Sequence, residues 1–556
     1  MKPLYRIIAS ALSLSALIAC AGDLDTAPEG DTMTEDQKQE VLTQDPAKLE
    51  SDVLSLYSSM IELLAIEEWS GRTLHYDFGY AAILMMMDSW GQDTPSEDSG
   101  YNWFVSNLEM SDRTATSLAG YFIWNNLYKQ MGLANRIIAS VPADTEDASL
   151  RAFRGQALAI RAFDYLNLVQ LYQFTYDGHS EALAVPLVPE TMTGEEAAHN
   201  PRATVAEVYE RILLDLDEAI ALLPTSGQAG QINRQAAYGL RARTHLLMKN
   251  YDRAYDDAAA AAQGYTPYSI AEVSQPSFNA FNHAWLWGNV IGESNDVVQS
   301  GIVNFPAHMC SFTGNGYSPG YSGRYINSEL YSRIPDTDVR KGWWALAEQK
   351  TEKDETTGQE QKYWEFCDIE HPCPNVDWQW TITYKGKQYN IAEWAGWQAP
   401  YLNVKFGAYQ NIYNNATNAC DIPLMRVEEM LLIQAEAKGL SANGSIAEGA
   451  AILENFVQTY RDPSYTCTAT SREEFIDAVW FQRRIELWGE GHSWFDIMRL
   501  KKPVHRLGTN YATTVAWNLP AESPLFLLIV PEAECNVNSA IENNPTVAAP
   551  KAGDTY

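Results

Sequence analysis

No stretch of the sequence approaches the ~18 continuous apolar residues that a membrane-spanning helix needs, so no segment reads as a transmembrane anchor. Positive charge is also scarce. Against 71 acidic residues there are 39 Lys and Arg, a formal net charge of −32, which disfavours nucleic acid and anionic lipid as partners. Cysteines number seven in 556 residues and none forms a C-x-x-C pair. The chain also lacks H-E-x-x-H, a Walker loop, and any G-x-G-x-x-G set between a strand and a helix. Metalloprotease, phosphate-cradling and dinucleotide chemistries therefore have no support. What remains is ordinary globular composition, 46% hydrophobic and 20% charged, long enough for one to three domains and a large core.

The N-terminus has a distinct pattern. Lys2 and Arg6 precede residues 7–19, apolar apart from Ser10, Ser13 and Ser15, a run too short to span a bilayer and of signal-peptide length. Leu17-Ile18-Ala19-Cys20 resembles the bacterial lipobox, which implies cleavage before Cys20 and a diacylglycerol on its thiol. Residues 21–40 are rich in Asp, Glu, Thr, Gly and Pro with few bulky apolar side chains, a composition that tethers and does not pack. The expected division is thus a signal peptide over 1–19, a lipidated tether over 20–40 and a single domain over 41–556. Of the other six cysteines only Cys367 and Cys373 are close in sequence. An exported chain favours a disulfide there; a zinc site using the intervening His371 is the alternative, with no second ligand cluster to complete it.

Helices in pairs dominate both ends. Thr204 and Glu207 form a capping box before Val205, Val208, Ile212, Leu216 and Ile220 on one face, and Pro224 stops the segment. A second helix is expected from Asn233 to Asn250 and a third from Tyr251 to Gly264, with Gly239, Ala242, Ala254 and Ala258 permitting close approach. Similar patterns occupy 119–139, 150–174, 423–440 and 447–460. Together they predict a mostly α fold, a scaffold of tetratricopeptide-like helical hairpins over 41–265 and 420–556. Between them, residues 266–419 turn to Gly, Asn, Ser, Pro, Trp and Tyr, with short β-prone runs such as 381–384. This stretch is expected to be an ordered, loop-rich aromatic subdomain with small β-hairpins.

Several motifs carry a family resemblance. Residues 422–437, IPLMRVEEMLLIQAEA, and residues 483–499, RRIELWGEGHSWFDIMR, are similar to signatures of the SusD/RagB family of surface nutrient-binding lipoproteins. Arg161-Ala162-Phe163-Asp164-Tyr165-Leu166, Val185-Pro186-Leu187-Val188, Asp23-Leu24-Asp25 with Pro28, and Ile529-Val530-Pro531 with Glu534 fit the same order. Gln482 and Ser493 depart from it, standing where an acidic and a basic residue are common. The second signature reads physically as structure: Ser471 and Glu474 cap a helix, and Glu490 and Asp496 are expected to pair with Arg484 and Arg499. Glu486 and Glu490 read as a salted helix face and not as catalytic carboxylates, which flank a substrate across a cleft. Gly316-Tyr317-Ser318-Pro319-Gly320 fits G-x-S-x-G, but Pro319 has no N–H for an oxyanion hole.

The resemblance implies a non-enzymatic glycan binder without cofactor or metal. It would be anchored through Cys20 in the outer membrane, face the medium, and deliver its ligand to a SusC-like TonB-dependent transporter. A peptide-binding member of the family and a tetratricopeptide-like interaction module are the alternatives. Sugar rings offer an apolar C–H face to Trp and Tyr, so aromatics in variable loops are the expected contacts. Trp90, Trp103, Tyr317, Tyr321, Trp343 and Trp344 are the candidates.

Overall fold

Capping side chains set many helix starts in the computed structural model, which describes residues 49–98, 101–274, 277–318, 322–344, 347–353, 360–366, 381–384, 387–390, 401–412 and 414–556. The signal peptide, Cys20, the tether, Tyr321, and the Cys367–His371–Cys373 group lie outside the described residues. Val53–Tyr556 is one compact unit.

Its helices include α1 (Tyr80–Trp90), α2 (Leu118–Ser140), α3 (Ala148–Tyr172), α4 (Val205–Leu222), α5 (Arg234–Leu247), α6 (Tyr251–Ala261), α7 (Phe305–Met309), α8 (Val427–Leu440), α9 (Ile446–Tyr460), α10 (Arg472–Glu486) and α11 (His492–Arg499). Ser117 heads α2, Asp147 α3 and Asn233 α5, each accepting a hydrogen bond from a first-turn N–H. Full capping boxes head α4 (Thr204 with Glu207) and α10 (Ser471 with Glu474), as their sequence spacing predicts. Successive helices pack in order, α2 on α3, α3 on α4, α4 on α5 and α5 on α6, then α6 on α8 and α8 on α9 and α10. This is the tetratricopeptide-like array, and residues 262–426 are inserted between two of its packed neighbours. Small residues let the layers close. A Cβ on Gly439 would lie 2.1 Å from Phe475, and one on Gly449 2.6 Å from Gly439 Cα. Gly239 serves a different contact from the helix approach expected of it, since its Cβ would meet Met425 Sδ at 2.2 Å.

The inserted stretch carries small antiparallel pairs: β2 (Ala347–Lys353) with β3 (Glu360–Phe366), and β4 (Thr381–Tyr384) with β5 (Lys387–Asn390). One expected helix begins late. Residues 422–426 form a strand, β6 (Ile422–Arg426), which pairs with β1 (Trp285–Asn289) and stitches the insert to the helical array before α8 starts.

At the end of β6 a group of buried charges gathers. Arg426 contacts Glu428, Glu486 and Glu490; Arg461 contacts Glu428 and Glu486; Arg340 contacts Asp338 and Glu486; and Lys405 contacts Glu490 at 2.6 Å. Four cations thus face four carboxylates, all at most 5% exposed. Burial works against ionisation of Glu486, yet Arg461, Arg426 and Arg340 overcome it and hold its carboxyl well below the usual range. Lys405 is pushed the other way, down to about 8, because burial outweighs the carboxylates beside it. The sequence-expected pairs are partly redrawn. Asp496 does bind Arg499, but Glu490 turns to Arg426 and Lys405, while Arg484 binds Asp93. The physical reason is that α10 ends at Glu486, so Glu490 sits past the helix, between Gly489 and Gly491, both at φ +77°.

Glu486→Ala leaves Arg461 and Arg426 short of a partner in the interior and is expected to cost ~3–5 kcal/mol, whereas Ser471→Ala, which removes one cap, is expected to cost about 1 kcal/mol. Urea denaturation of both variants measures the difference, and equal costs would remove the charge cluster from its structural role.

Candidate ligand-binding site

Three loops bring half-buried aromatic side chains to one place. The first carries His75. Two residues on, the Asp77 carboxylate accepts hydrogen bonds from the Ala65 and Ile66 N–H groups, both at 2.9 Å. Gly79, at φ +78°, lets the chain pass Met60, whose carbonyl oxygen would lie 2.2 Å from any Cβ there. The second loop carries Trp103 and is pinned by Asn102, which donates to Ser96 Oγ and the Glu97 carbonyl and accepts from Arg324 and the Phe104 N–H. The third carries Tyr317. It lies on α7, with the Tyr317 and Ser318 N–H groups both donating to the Ala307 carbonyl, a contact so close that a Cβ on Gly316 would stand 2.5 Å from that oxygen.

The three rings converge. His75 stacks on Trp103 with centroids 4.3 Å apart and 25° between planes, and Tyr317 closes on both at 5.8 and 6.5 Å. The Tyr317 hydroxyl and His75 Nδ1 share a hydrogen bond. Behind them lies buried His308, stacked between Tyr317 at 4.9 Å and Phe78 at 5.6 Å, with Phe104 edge-on at 5.3 Å. His308 Nε2–H donates to the His75 carbonyl at 2.9 Å. Tyr101, two residues before Trp103, is 57% exposed. Burial lowers the His75 pKa below its usual value, which keeps the ring neutral at pH 7. The result is a neutral, partly exposed aromatic surface on a rigid base, able to stack a flat or C–H-faced ligand and to offer a phenol and an imidazole at its rim.

Of the sequence candidates, Trp103 and Tyr317 meet here; Tyr321 lies outside the described residues. The other three are corrected to interior positions. Trp90 is fully buried at the end of α1, its indole N–H on Asp112, with Arg113 over its ring and Trp494 against its edge. Trp343 donates to the Val273 carbonyl and packs on Phe278, and Trp344 packs on Trp488; both are 0% exposed. Neighbouring tryptophans can both be buried because Val339–Trp343 is a 3₁₀ turn and not a strand, so the alternation of faces does not apply. His75 carries no motif of its own in the sequence and precedes α1, whereas the expected contacts follow it. Its nearest signal was the Asp77–Gly79 turn chemistry.

Catalytic alternatives fare poorly in the geometry. Ser318 of the G-x-S-x-G match is 0% exposed, and Glu486 and Glu490 are buried against cations. Among the described residues no group of His, Cys, Asp and Glu is arranged to hold a metal, and Cys310, Cys420, Cys467 and Cys535 are free. A half-open cavity of about 60 Å³ among α1, α3, α5, α8 and α11, lined by Tyr80, Phe163, Arg243, Glu429 and His492, has room for a few waters.

Comparison with known proteins places these features. A family model described as "Starch-binding associating with outer membrane" matches residues 76–246, and the SusD family model matches residues 311–546. The chain belongs to the SusD/RagB family. SusD-like protein P2 of Formosa agariphila is 24% identical over 535 residues, covering 91% of this chain and 92% of that protein. A SusD-like carbohydrate-binding protein of Bacteroides vulgatus superposes with a TM-score of 0.66 at 22% identity, covering 89% of this chain and 97% of its own. A laminarin-binding SusD-like protein superposes at 0.60 with 18% identity, covering 90% and 99%. The SusD-like fold accounts for the mostly helical array, and among the described residues no helix is long and apolar enough to cross a membrane. The two departures from the family signatures are absorbed locally: Gln482 accepts from Arg340, and Ser493 donates to Asp93 at 2.6 Å.

Burial, then the Arg324 charge, pushes the His308 pKa down from 6.5 to about 3. A depressed folded pKa means the unfolded chain takes up the proton first, so this contribution is complete above about pH 6.5 and is lost as pH falls toward 3. His308→Phe is therefore expected to lose less stability than the unaltered chain between pH 6.5 and 4, read from urea midpoints; parallel slopes would place the acid sensitivity elsewhere.

Proposed function

We propose that this SusD-family chain binds glycan on the His75–Trp103–Tyr317 surface as a non-catalytic, cell-surface lipoprotein held by lipid on Cys20. It would hand its ligand to a SusC-like TonB-dependent transporter. The observation that carries the reading is the stacked, partly exposed aromatic trio over an apolar base, which matches the C–H face of a sugar ring. Relatives whose descriptions name carbohydrate and laminarin binding support it, as does the outer-membrane association in the family model's description. Each stacking contact contributes on the order of 1 kcal/mol, so binding would be weak and reversible, suited to transfer.

Trp103→Ala and Tyr317→Ala are each expected to weaken glycan binding about fivefold to tenfold, measured by calorimetry on chains starting after residue 40. Affinity gels carrying polysaccharides or peptides choose the ligand class. Retardation only by peptide would transfer the site to the peptide-binding reading, and retardation by neither would leave an interaction module. Trp90→Ala should destabilise the fold without a specific loss of binding in molecules that remain folded. Cys20→Ser is expected to release the protein from outer-membrane fractions, and a variant that stays bound would refute the lipid anchor. Co-purification of a large β-barrel with the unaltered protein tests the transporter partnership.

A further inference from the structure

A second aromatic pair stands on the surface close to the first in sequence and outside every assignment above. Trp69 lies in the short helix Glu67–Ser70 and is 52% exposed. Its ring stacks on Tyr121 of α2 with centroids 3.7 Å apart and planes within 8°. Large aromatics left in water are ordinarily loose; this one is held through one ring face and through its backbone. Tyr121 covers one face of the indole, and the backbone beneath is fixed by Ser70 N–H to the Ile66 carbonyl at 2.8 Å and Gly71 N–H to the Glu67 carbonyl at 2.7 Å, with Gly71 closing the turn at φ +64°. The Thr73 hydroxyl donates to Glu67 at 2.6 Å, and Glu68, Arg72 and Thr73 are exposed along the rim.

The pair is tied to the candidate site by one acid. Asp77 accepts from the N–H groups of Ala65 and Ile66, at the head of the Trp69 helix, while its own position two residues after His75 sets the first platform. Trp69 and His75 are six positions apart, so their Cα atoms lie within about 20 Å even if the chain between them were extended. Tyr76 continues the link inward, packing edge-on against Phe122, the residue after Tyr121, and at a tilt against Phe104, the residue after Trp103. Two aromatic surfaces carried on Cα atoms within that limit suit a polymer with repeating apolar faces.

We propose that Trp69 and Tyr121 form a second glycan subsite that engages a further sugar unit of the same chain already stacked on His75, Trp103 and Tyr317. The inference rests on the glycan reading. The second contact is intramolecular once the first is made, so it adds affinity for long ligands and little for short ones.

The test uses calorimetry with laminarin, starch, pullulan, xylan and galactomannan, then the disaccharide and hexasaccharide of whichever polymers bind. Trp69→Ala is expected to weaken hexasaccharide and polymer binding about fivefold and disaccharide binding less than twofold, with Trp69→Tyr retaining most of the affinity. Trp103→Ala is expected to weaken all lengths. If Trp103→Ala weakens binding and Trp69→Ala does not, the second subsite falls and the glycan reading stands. Equal losses for disaccharide and hexasaccharide in Trp69→Ala would also overturn it, by making Trp69 part of the first platform. If no polymer binds the unaltered protein, both readings fall together.

Discussion

The buried charge cluster around Arg426 is the constraint on which the rest of the molecule depends. It joins segments far apart in sequence: the 338–340 turn, Lys405, the end of β6, Glu428 in the first turn of α8, Arg461 after α9, and the 486–490 turn after α10. Ions withdrawn from water recover their solvation only when every partner is in place, so a partial set is worse than none. The cluster therefore works as a registration device more than as a source of net stability. It admits one arrangement of insert against array, because any slip leaves a bare charge inside.

That registration reaches the candidate site through Asp93. Arg484, on the same helix as Glu486, holds the Asp93 carboxylate together with Ser493, and the Trp488 indole N–H donates to the Asp93 carbonyl at 2.8 Å. Three residues along, Ser96 bridges to Arg324, whose guanidinium reaches Asn102 and lies over Phe104. Asn102 and Phe104 flank Trp103. The C-terminal signature thus positions a ring nearly 400 residues earlier from outside the candidate site, which explains a signature rich in Arg and Glu in a protein read as a binder of neutral faces.

Local chemistry was legible in the sequence wherever one short segment decides the outcome. The boxes Thr204–Glu207 and Ser471–Glu474, the Asn233 cap and the stop at Pro224 follow from side chain reaching backbone within one turn. Pairing across the insert was not legible. Residues 423–426 carry a helix-like pattern because all five residues of β6 are buried, and a strand buried on both faces shows no alternation. The site was half visible for the same kind of reason. Composition marks aromatics but not which of them tertiary packing consumes: Trp90 is taken by Asp112 and Arg113, Trp343 and Trp344 by Val273 and Trp488, and of the described candidates Trp103 and Tyr317 are left partly exposed. His75, ordinary in its sequence context, gains its role from two loops that arrive later in the chain.

The chemistry of the trio's base bears on the binding proposed for it. His308 is neutral and stacked, Phe78 and Phe104 close the layer beneath it, and Asp77, Asn102 and Gly316 fix the three loops through backbone contacts. A platform so held has little side-chain freedom left to lose when a ring settles on it, so a modest contact energy is not consumed by ordering. Affinity then scales with the number of rings engaged at once. A weak, pre-ordered surface gains most from a ligand with many equivalent units and from being tethered where those units arrive, and a lipid on Cys20 would supply the second condition.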